Sequence, residues 1–291
     1  MLQYDAIFIS TFINHLYVDK LIDSIISHNK RIKLYLLFIN QTDISLNINK
    51  SPSKFIHVEE IFSKRVSLSA ARNIGIKYVL ENTINAQYVL FPDDDSTFDD
   101  VFFNCLSSIV KDGRKNYLID VYVENTNELY IKNNLPDGKL VINNKPQVAM
   151  SVNMLINMQT FKAVGFFDEK MGVGAEYGAG EDTDYFIRCV AFSGAFIYTK
   201  MIWNYHPDFE DKHNTFSFKQ LLKKYRNYGR GVIYMNMKHH FYFSAFKLCI
   251  SALGGSVLAL INLDFRLSLA RLYAFFVRSF TFVMLIIRIY K

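Results

Sequence analysis

Residues 86–95 read AQYVLFPDDD, an apolar run from Tyr88 to Phe91 set against three consecutive acids, Asp93, Asp94 and Asp95. The run has the length and composition of a buried strand closed by a proline. Three adjacent carboxylates repel one another, so placing them at the end of such a strand calls for a compensating charge. A divalent cation supplies one, because Mg²⁺ and Mn²⁺ suit hard oxygen ligands. Mg²⁺ is commonly shared between one or two carboxylates and phosphates, which points to a phosphate-bearing ligand. Asp-rich turns also occur as solvated loops or caps, and Asp99 and Asp100 are expected to cap the following helix.

Upstream, YDAIFISTF (4–12), KLYLLFI (33–39) and KFIHVEE (54–60) read as strands. Apolar-periodic helices are expected around 17–28 and over 67–82, the second with Ser67 or Ser69 as cap. Strands alternating with helices imply parallel pairing in a doubly wound α/β sheet. Ligands bind beyond the carboxyl ends of strands in such sheets, so the acid triplet faces a site. Downstream the pattern is richer in strands. NYLIDVYVEN (116–125) is one, and 128–144 is expected to form a hairpin turning at Pro136-Asp137-Gly138. Residues 147–158 are expected to form another strand, followed by a helix from about Thr183 and short strands at Phe196–Thr199 and Trp203–His206.

Hydrophobic residues make up 51% of the 291, which excludes a disordered chain. Cys105, Cys189 and Cys249 are scattered and odd in number, so a disulfide framework is excluded and a reducing compartment expected. The opening residues run straight into a strand, and no leader is expected there. Charge is divided unevenly: residues 212–291 hold 13 Lys and Arg against one acid, Asp264, while the first 211 hold 20 basic and 26 acidic residues.

That basic end is also apolar. A basic helical region (216–240), interrupted at Gly229 and Gly231, leads to a 23-residue run (241–263) with a single charge, Lys247. A polar break at Asp264–Arg266 precedes a second apolar run to Ile287, which carries Arg271 and Arg278 one heptad apart. The first run is long enough to cross a bilayer, whereas midplane arginines favour an interfacial position for the second. Packing of both as core helices is the alternative. A spanning hairpin would have both ends on the cytoplasmic side. The basic run Lys219, Lys223, Lys224, Arg226 and Arg230 suits anionic headgroups. Among the sequence patterns there is no RNA- or DNA-binding module, so nucleic acid is not an expected partner.

The second chemistry-bearing stretch is GFFDEKMGVGAEYGAGEDTDYFIRCV (165–190). Its glycines at 172, 174, 178 and 180 form a pliable lead-in to Glu181-Asp182 at a helix start. Acids there compensate the helix dipole, and one at the mouth of a pocket also serves as a general base.

Together, SLSAARNIGI, YVLFPDDD and GFFDE…GEDTDYFIR resemble the family 2 glycosyltransferases of GT-A fold, in order and spacing, over residues 4 to about 206. The GVGA…GEDTD form is similar to bacterial capsule and O-antigen sugar transferases. The resemblance implies a doubly wound mixed sheet. It also implies an inverting hexosyl or hexosaminyl transfer from a nucleotide sugar, usually UDP-linked, to a hydroxyl of a glycan or lipid-linked acceptor. Residues 1–211 would be the catalytic domain, 212–240 a basic helical connector and 241–291 a membrane-associating hairpin at the cytoplasmic face.

By the same resemblance, Asp93 and Asp95 hold Mn²⁺ or Mg²⁺ and the diphosphate, and Asp94 or Asp93 the ribose. Asp182 deprotonates the acceptor with Glu181 alongside, and Thr11 contacts the base. The second strand lacks the family's terminal Asp, leaving Asn40 or Asp43 for the base. Arg72 and Asn73 match the family's ARN, read either as nucleotide contacts or as helix packing and a salt bridge. His206, after a late strand in WNYHPDF, is either structural, a third metal ligand or a grip on an acceptor phosphate. The competing class is a metal-dependent nucleotidyltransferase. It would carry a glycine-rich basic loop after the first strand, and FISTFINHLYVDK has none.

Overall fold

The computed structural model describes residues 3–113, 115–126, 128–142, 146–208 and 216–289. The chain divides into two compact units, Met1–Phe167 with Asp182–Asp208, and Asp168–Glu181 with Phe209–Lys291.

The first unit begins with β1 (Gln3–Phe12), α1 (Val18–His28), β2 (Leu34–Asn40), β3 (Ile56–Phe62), α2 (Leu68–Glu81) and β4 (Asn85–Leu90). It continues with α3 (Asp100–Asp112), β5 (Asn116–Val123), β6 (Leu140–Val141), β7 (Met154–Asn157), α4 (Met158–Val164), α5 (Glu181–Ser193) and β8 (Phe196–His206). The strands form one mixed sheet in the order β3-β2-β1-β4-β7-β5-β8-β6. β1 pairs in parallel with both β2 and β4, β5 with β8, while β7 is antiparallel to its two neighbours. The expected α/β class and doubly wound order are therefore present. Strand order reverses about β1, so the crevice beyond β1 and β4 is the place where such sheets bind ligands.

Local chemistry explains these elements. β2 is buried along its whole length, as a central parallel strand covered on both faces should be. Ser67 caps α2 by accepting from the Ala70 amide, and Asp99 caps α3 by accepting from the Phe102 amide at 2.8 Å. Gly75 lets α2 approach β1, since a Cβ there would collide with Ile9. Phe8, Phe98, Phe102 and Phe103 pack edge-on and tilted against one another through the core between sheet and helices.

Four expectations need correction. The turn at Pro136–Gly138 exists, with Lys139 bonding back to Pro136, but among the described residues it joins no hairpin. β6 instead pairs antiparallel with the start of β8, and Leu129 makes only a lone bridge to Tyr122. Residues 147–158 form two short 3₁₀ turns, the four-residue β7 and the start of α4. Asn153 bonds Met150 N and Val148 O, and Asn157 accepts from the Gln159 amide, so these side chains divert the backbone from a ladder. The two late strands are one strand, β8, whose pairing jumps from Thr199 to Trp203 across a bulge.

The fourth correction lies in the second unit, which contains α6 (Phe218–Lys238), α7 (Tyr242–Ile261) and α8 (Phe265–Ile289). Gly229 and Gly231 do not interrupt α6. They are contact points: a Cβ on Gly231 would strike the backbone of Ala179, and one on Gly229 would crowd Arg278. Tyr177 stacks on Tyr234 at 3.9 Å, and Lys238 Nζ binds Asp168 Oδ2 at 2.8 Å, fastening segment 168–181 to α6.

α7 and α8 meet along small residues: Ala245, Cys249, Ala252, Ser256 and Ala259 on one side, Ala270 and Ala274 on the other. Arg271 and Arg278 do not face outward. Their Nη1 atoms donate to the carbonyls of Gly255 (2.9 Å) and Leu248 (2.7 Å) on α7. The outer faces carry exposed Phe243, Ile250, Val257, Phe276 and Val283.

Candidate active site

The site is assembled at the carboxyl end of β4. After Phe91 and Pro92 the chain turns tightly, with Ser96 N bonding Asp93 O at 3.1 Å. Thr97 and Tyr205 then exchange two backbone hydrogen bonds, 3.0 and 2.9 Å long, which clamp this loop to the end of β8. The clamp sets His206 beside the acids. Its Nε2 lies 3.1 Å from Asp95 Oδ1 and 3.7 Å from Asp93 Oδ2. Its Nδ1 faces the Pro207 carbonyl at 3.1 Å, which fixes the ring with Nε2 toward the carboxylates.

Asp93, Asp95 and His206 offer ligand atoms within 4.8 Å of one another. Asp95 Oδ1 is buried with the His206 imidazole as its partner at 3.1 Å, so a cation there would meet a carboxylate oxygen already withdrawn from water. Two carboxylates and an imidazole match the preferences of Mn²⁺, and the residues fit a metal of that kind.

Electrostatics here follow from crowding. Burial would lower the pKa of His206, but its bonds to Asp93 and Asp95 push it up to about 10. Burial disfavours the ionised form of Asp93, yet bonding to His206 and the charge of Arg72 outweigh it and hold the group below the usual carboxylate range. For Asp94, burial, followed by the charges of Asp95 and Asp93, outweighs a backbone hydrogen bond and the charge of His206 and pushes it up to about 7. The repulsion visible in the sequence is thus met by two basic side chains and by weakened ionisation of the middle acid.

Arg72 links the acid loop to the start of α5. Its guanidinium is almost fully buried, at 3% exposure. Nη2 reaches Asp93 Oδ1 at 3.1 Å and Nη1 reaches Asp182 Oδ1 at 2.9 Å. Nη2 also contacts Ser151 Oγ at 2.7 Å, and the Phe167 ring lies 5.3 Å from Cζ. Arg72 makes the salt bridges that one of its two sequence readings expects. Ser151 gave no sequence signal, and Phe167 stands in the GFFDE stretch without a role assigned to it there.

The other sequence candidates lie as follows. Thr11 is the penultimate residue of β1, opposite Ile39. Asn40 is buried and its amide is consumed locally, donating to Ile44 O and Glu60 Oε1 and accepting from Thr42 N. It shapes the loop after β2 and is not turned outward, while Asp43 is exposed. Asn73 exchanges two hydrogen bonds with the backbone of Phe167, at 3.0 and 2.7 Å, so it holds that segment in place. Glu181 is the buried first residue of α5 and groups with the second unit. Asp184 pairs with Arg188 one turn on, at 2.9 Å.

No family model matches the sequence, and no curated protein matches it. Solved structures do match. S. aureus TarS 1–349 aligns with TM-score 0.53 at 11% identity, over 93% of this chain and 90% of its own. The mannosyltransferase PcManGT from Pyrobaculum calidifontis, in complex with GDP-Man and Mn²⁺, aligns with TM-score 0.52 at 8% identity, over 97% and 88%. The chain spans 43% of a longer TarS chain. TarS 1–349 has also been solved with UDP-GlcNAc and with UDP. At these identities the likeness establishes the fold: a GT-A-type mixed α/β sheet.

Proposed function

We propose that the protein is a metal-dependent glycosyltransferase of the family 2 type. It moves a sugar from a nucleoside-diphosphate donor, a UDP-sugar first, to a hydroxyl of a glycan or lipid-linked acceptor in surface polysaccharide synthesis of the capsule or O-antigen kind. The observation that carries this reading is the convergence of Asp93, Asp95 and His206 beside an arginine that also grips Asp182. The donors held by neighbours of like fold, UDP-GlcNAc and GDP-Man, support the donor class.

Each residue then has a task. Asp93, Asp95 and His206 hold Mn²⁺ or Mg²⁺, which when bound offsets the negative charge that builds on the departing diphosphate. Thr11 and the loop shaped by Asn40 receive the base, and Asp94 faces the ribose. Asp182 takes the acceptor proton, a contribution of about 10²–10⁴-fold for a positioned base. Arg72 holds Asp182 by Oδ1 and leaves Oδ2 for that proton. One carboxylate cluster and one separate base suit a single inverting displacement, with no protein nucleophile.

Residues 1–211 serve as the catalytic domain, 212–240 as a connector and 241–291 as the membrane-associating hairpin, at the cytoplasmic face. Two helices of sufficient length and apolarity, Tyr242–Ile261 and Phe265–Arg288, support that association. The test is thermal unfolding of the full chain in neutral detergent with UDP, GDP and ADP, each with and without Mn²⁺. Stabilisation by one nucleotide only when metal is present supports the reading, and none with any combination refutes it.

A further inference from the structure

The second unit contains a cavity of about 330 Å³ that the proposed transfer does not use. Arg226, Arg230 and Arg288 line it against one carboxylate, Glu176, and the remainder of its wall includes Phe280 and Met284 of α8. We propose that this cavity binds the phosphate headgroup of an anionic lipid, with the acyl chain lying along α8. The inference rests on the membrane association proposed above.

Charge is the first argument. Arg226 and Arg230 stand one turn apart on the same face of α6, an arrangement that is unfavourable unless an anion neutralises it. Arg288 adds a third guanidinium from the last turn of α8. Glu176 answers only part of this: it is a single carboxylate against three guanidinium groups, and Oε1 of its half-exposed side chain lies at a loose 3.4 Å from Arg230 Nη2. Arg230 is also held over the Tyr177 ring, 5.3 Å from its centroid, which presents the planar fork toward the cavity. Guanidinium forks match phosphate oxygens in bidentate fashion and suit phosphate monoesters and diesters.

Shape is the second argument. A free phosphate or a polar glycan has no use for an apolar wall. Here the wall runs on without a break: Phe276, Phe280, Val283 and Ile287 follow one another at helical spacing on α8, 61%, 69%, 51% and 44% exposed. A cationic pocket opening onto such a stripe fits a molecule that is anionic at one end and aliphatic at the other. Its volume lies at the small end of ligand sites, enough for a headgroup and not for a whole lipid.

The experiment is flotation of the full chain with vesicles of phosphatidylcholine alone and with about one tenth phosphatidic acid, at fixed ionic strength. We expect phosphatidic acid to tighten wild-type binding by about tenfold, and Arg226→Gln with Arg230→Gln to abolish that preference. The control Lys223→Gln with Lys224→Gln removes the same charge from α6 outside the cavity and should retain most of it. Glu176→Gln should strengthen the preference by about threefold, a gain that misfolding cannot imitate. Equal loss in the arginine and lysine pairs would overturn the site in favour of diffuse attraction. Abolition of the preference by millimolar inorganic phosphate, but not by matched chloride, would overturn it in favour of a free-phosphate site. Binding to phosphatidylcholine without any preference sinks the cavity alone, whereas binding to neither vesicle sinks the membrane association with it.

Discussion

Arg72 Nη1 lies 2.9 Å from Asp182 Oδ1 although the two residues are 110 positions apart, and the same guanidinium holds Asp93. The group proposed as base and a group proposed as metal ligand are thus set against one rigid, buried fork. Positioning of this kind governs rate, because small misplacements of reacting groups carry large kinetic costs. Arg72→Lys keeps the charge and loses the fork. Transfer should fall at least about tenfold, and each lost charge-assisted bond is worth about 2 kcal/mol. Steady-state kinetics with donor and acceptor varied separately check this, and unchanged kcat and KM would dismiss Arg72 as an organiser.

Asp95 Oδ1 is buried beside His206, and an amide there keeps the shape of the side chain while removing the charge that a cation site needs. For Asp95→Asn we expect a protein that still unfolds cooperatively without ligands, loss of metal-dependent UDP stabilisation, and turnover near background. Mn²⁺-dependent stabilisation equal to that of wild type would remove Asp95 from the metal site.

The general-base assignment separates Asp182 from its neighbour. Asp182→Asn should preserve donor affinity and lower transfer by about 10²-fold or more. Glu181→Gln should cost less. A fully active Asp182→Asn together with an inactive Glu181→Gln would exchange the two roles.

A pH effect is expected away from the site. Asp120 is buried, and burial raises its pKa despite the hydrogen bond it accepts from Tyr198 Oη at 2.6 Å. A carboxyl whose folded pKa is raised contributes stability that is present at low pH and lost as pH climbs through the folded value. Asp120→Asn mimics the protonated form and keeps the acceptor for Tyr198. Its melting temperature should therefore rise relative to wild type between pH 4 and pH 8. A pH-independent difference would contradict the buried-acid reading.

Much of this architecture was legible in the sequence where physics is local. The first four strands lie close to where their apolar runs place them, and Ser67 and Asp99 cap helices as their side chains suggest. The acids after Phe91 announced a charge problem before any geometry was known. Reading failed where side chains outcompete the ladder. Residues 147–158 are apolar enough for a strand, but Asn153 and Asn157 redirect the backbone into turns and a helix cap. Glycines misled in the same way, since Gly229 and Gly231 signal close contact with Arg278 and Ala179, and helix continuity is unaffected. Least legible was the network around Arg72. Ser151 lies in a short turn with no pattern of its own, and only the fold brings it to the guanidinium.

For the C-terminal helices, Phe243→Asp with Phe276→Asp alters residues that are 69% and 61% exposed, so the fold should survive. Partition of the full chain into phosphatidylcholine vesicles should fall by tenfold or more, since burying each phenylalanine is worth roughly 1.5–3 kcal/mol. Unchanged partition would mean that these faces do not enter the bilayer.

The central claim is metal-dependent transfer from a nucleotide sugar, and its most direct test is release of nucleoside diphosphate by the full chain from a panel of UDP- and GDP-sugars. The account predicts release from at least one donor with Mn²⁺, loss of release in EDTA and recovery when Mn²⁺ is restored. No release from any donor, or release undiminished by EDTA, would contradict it.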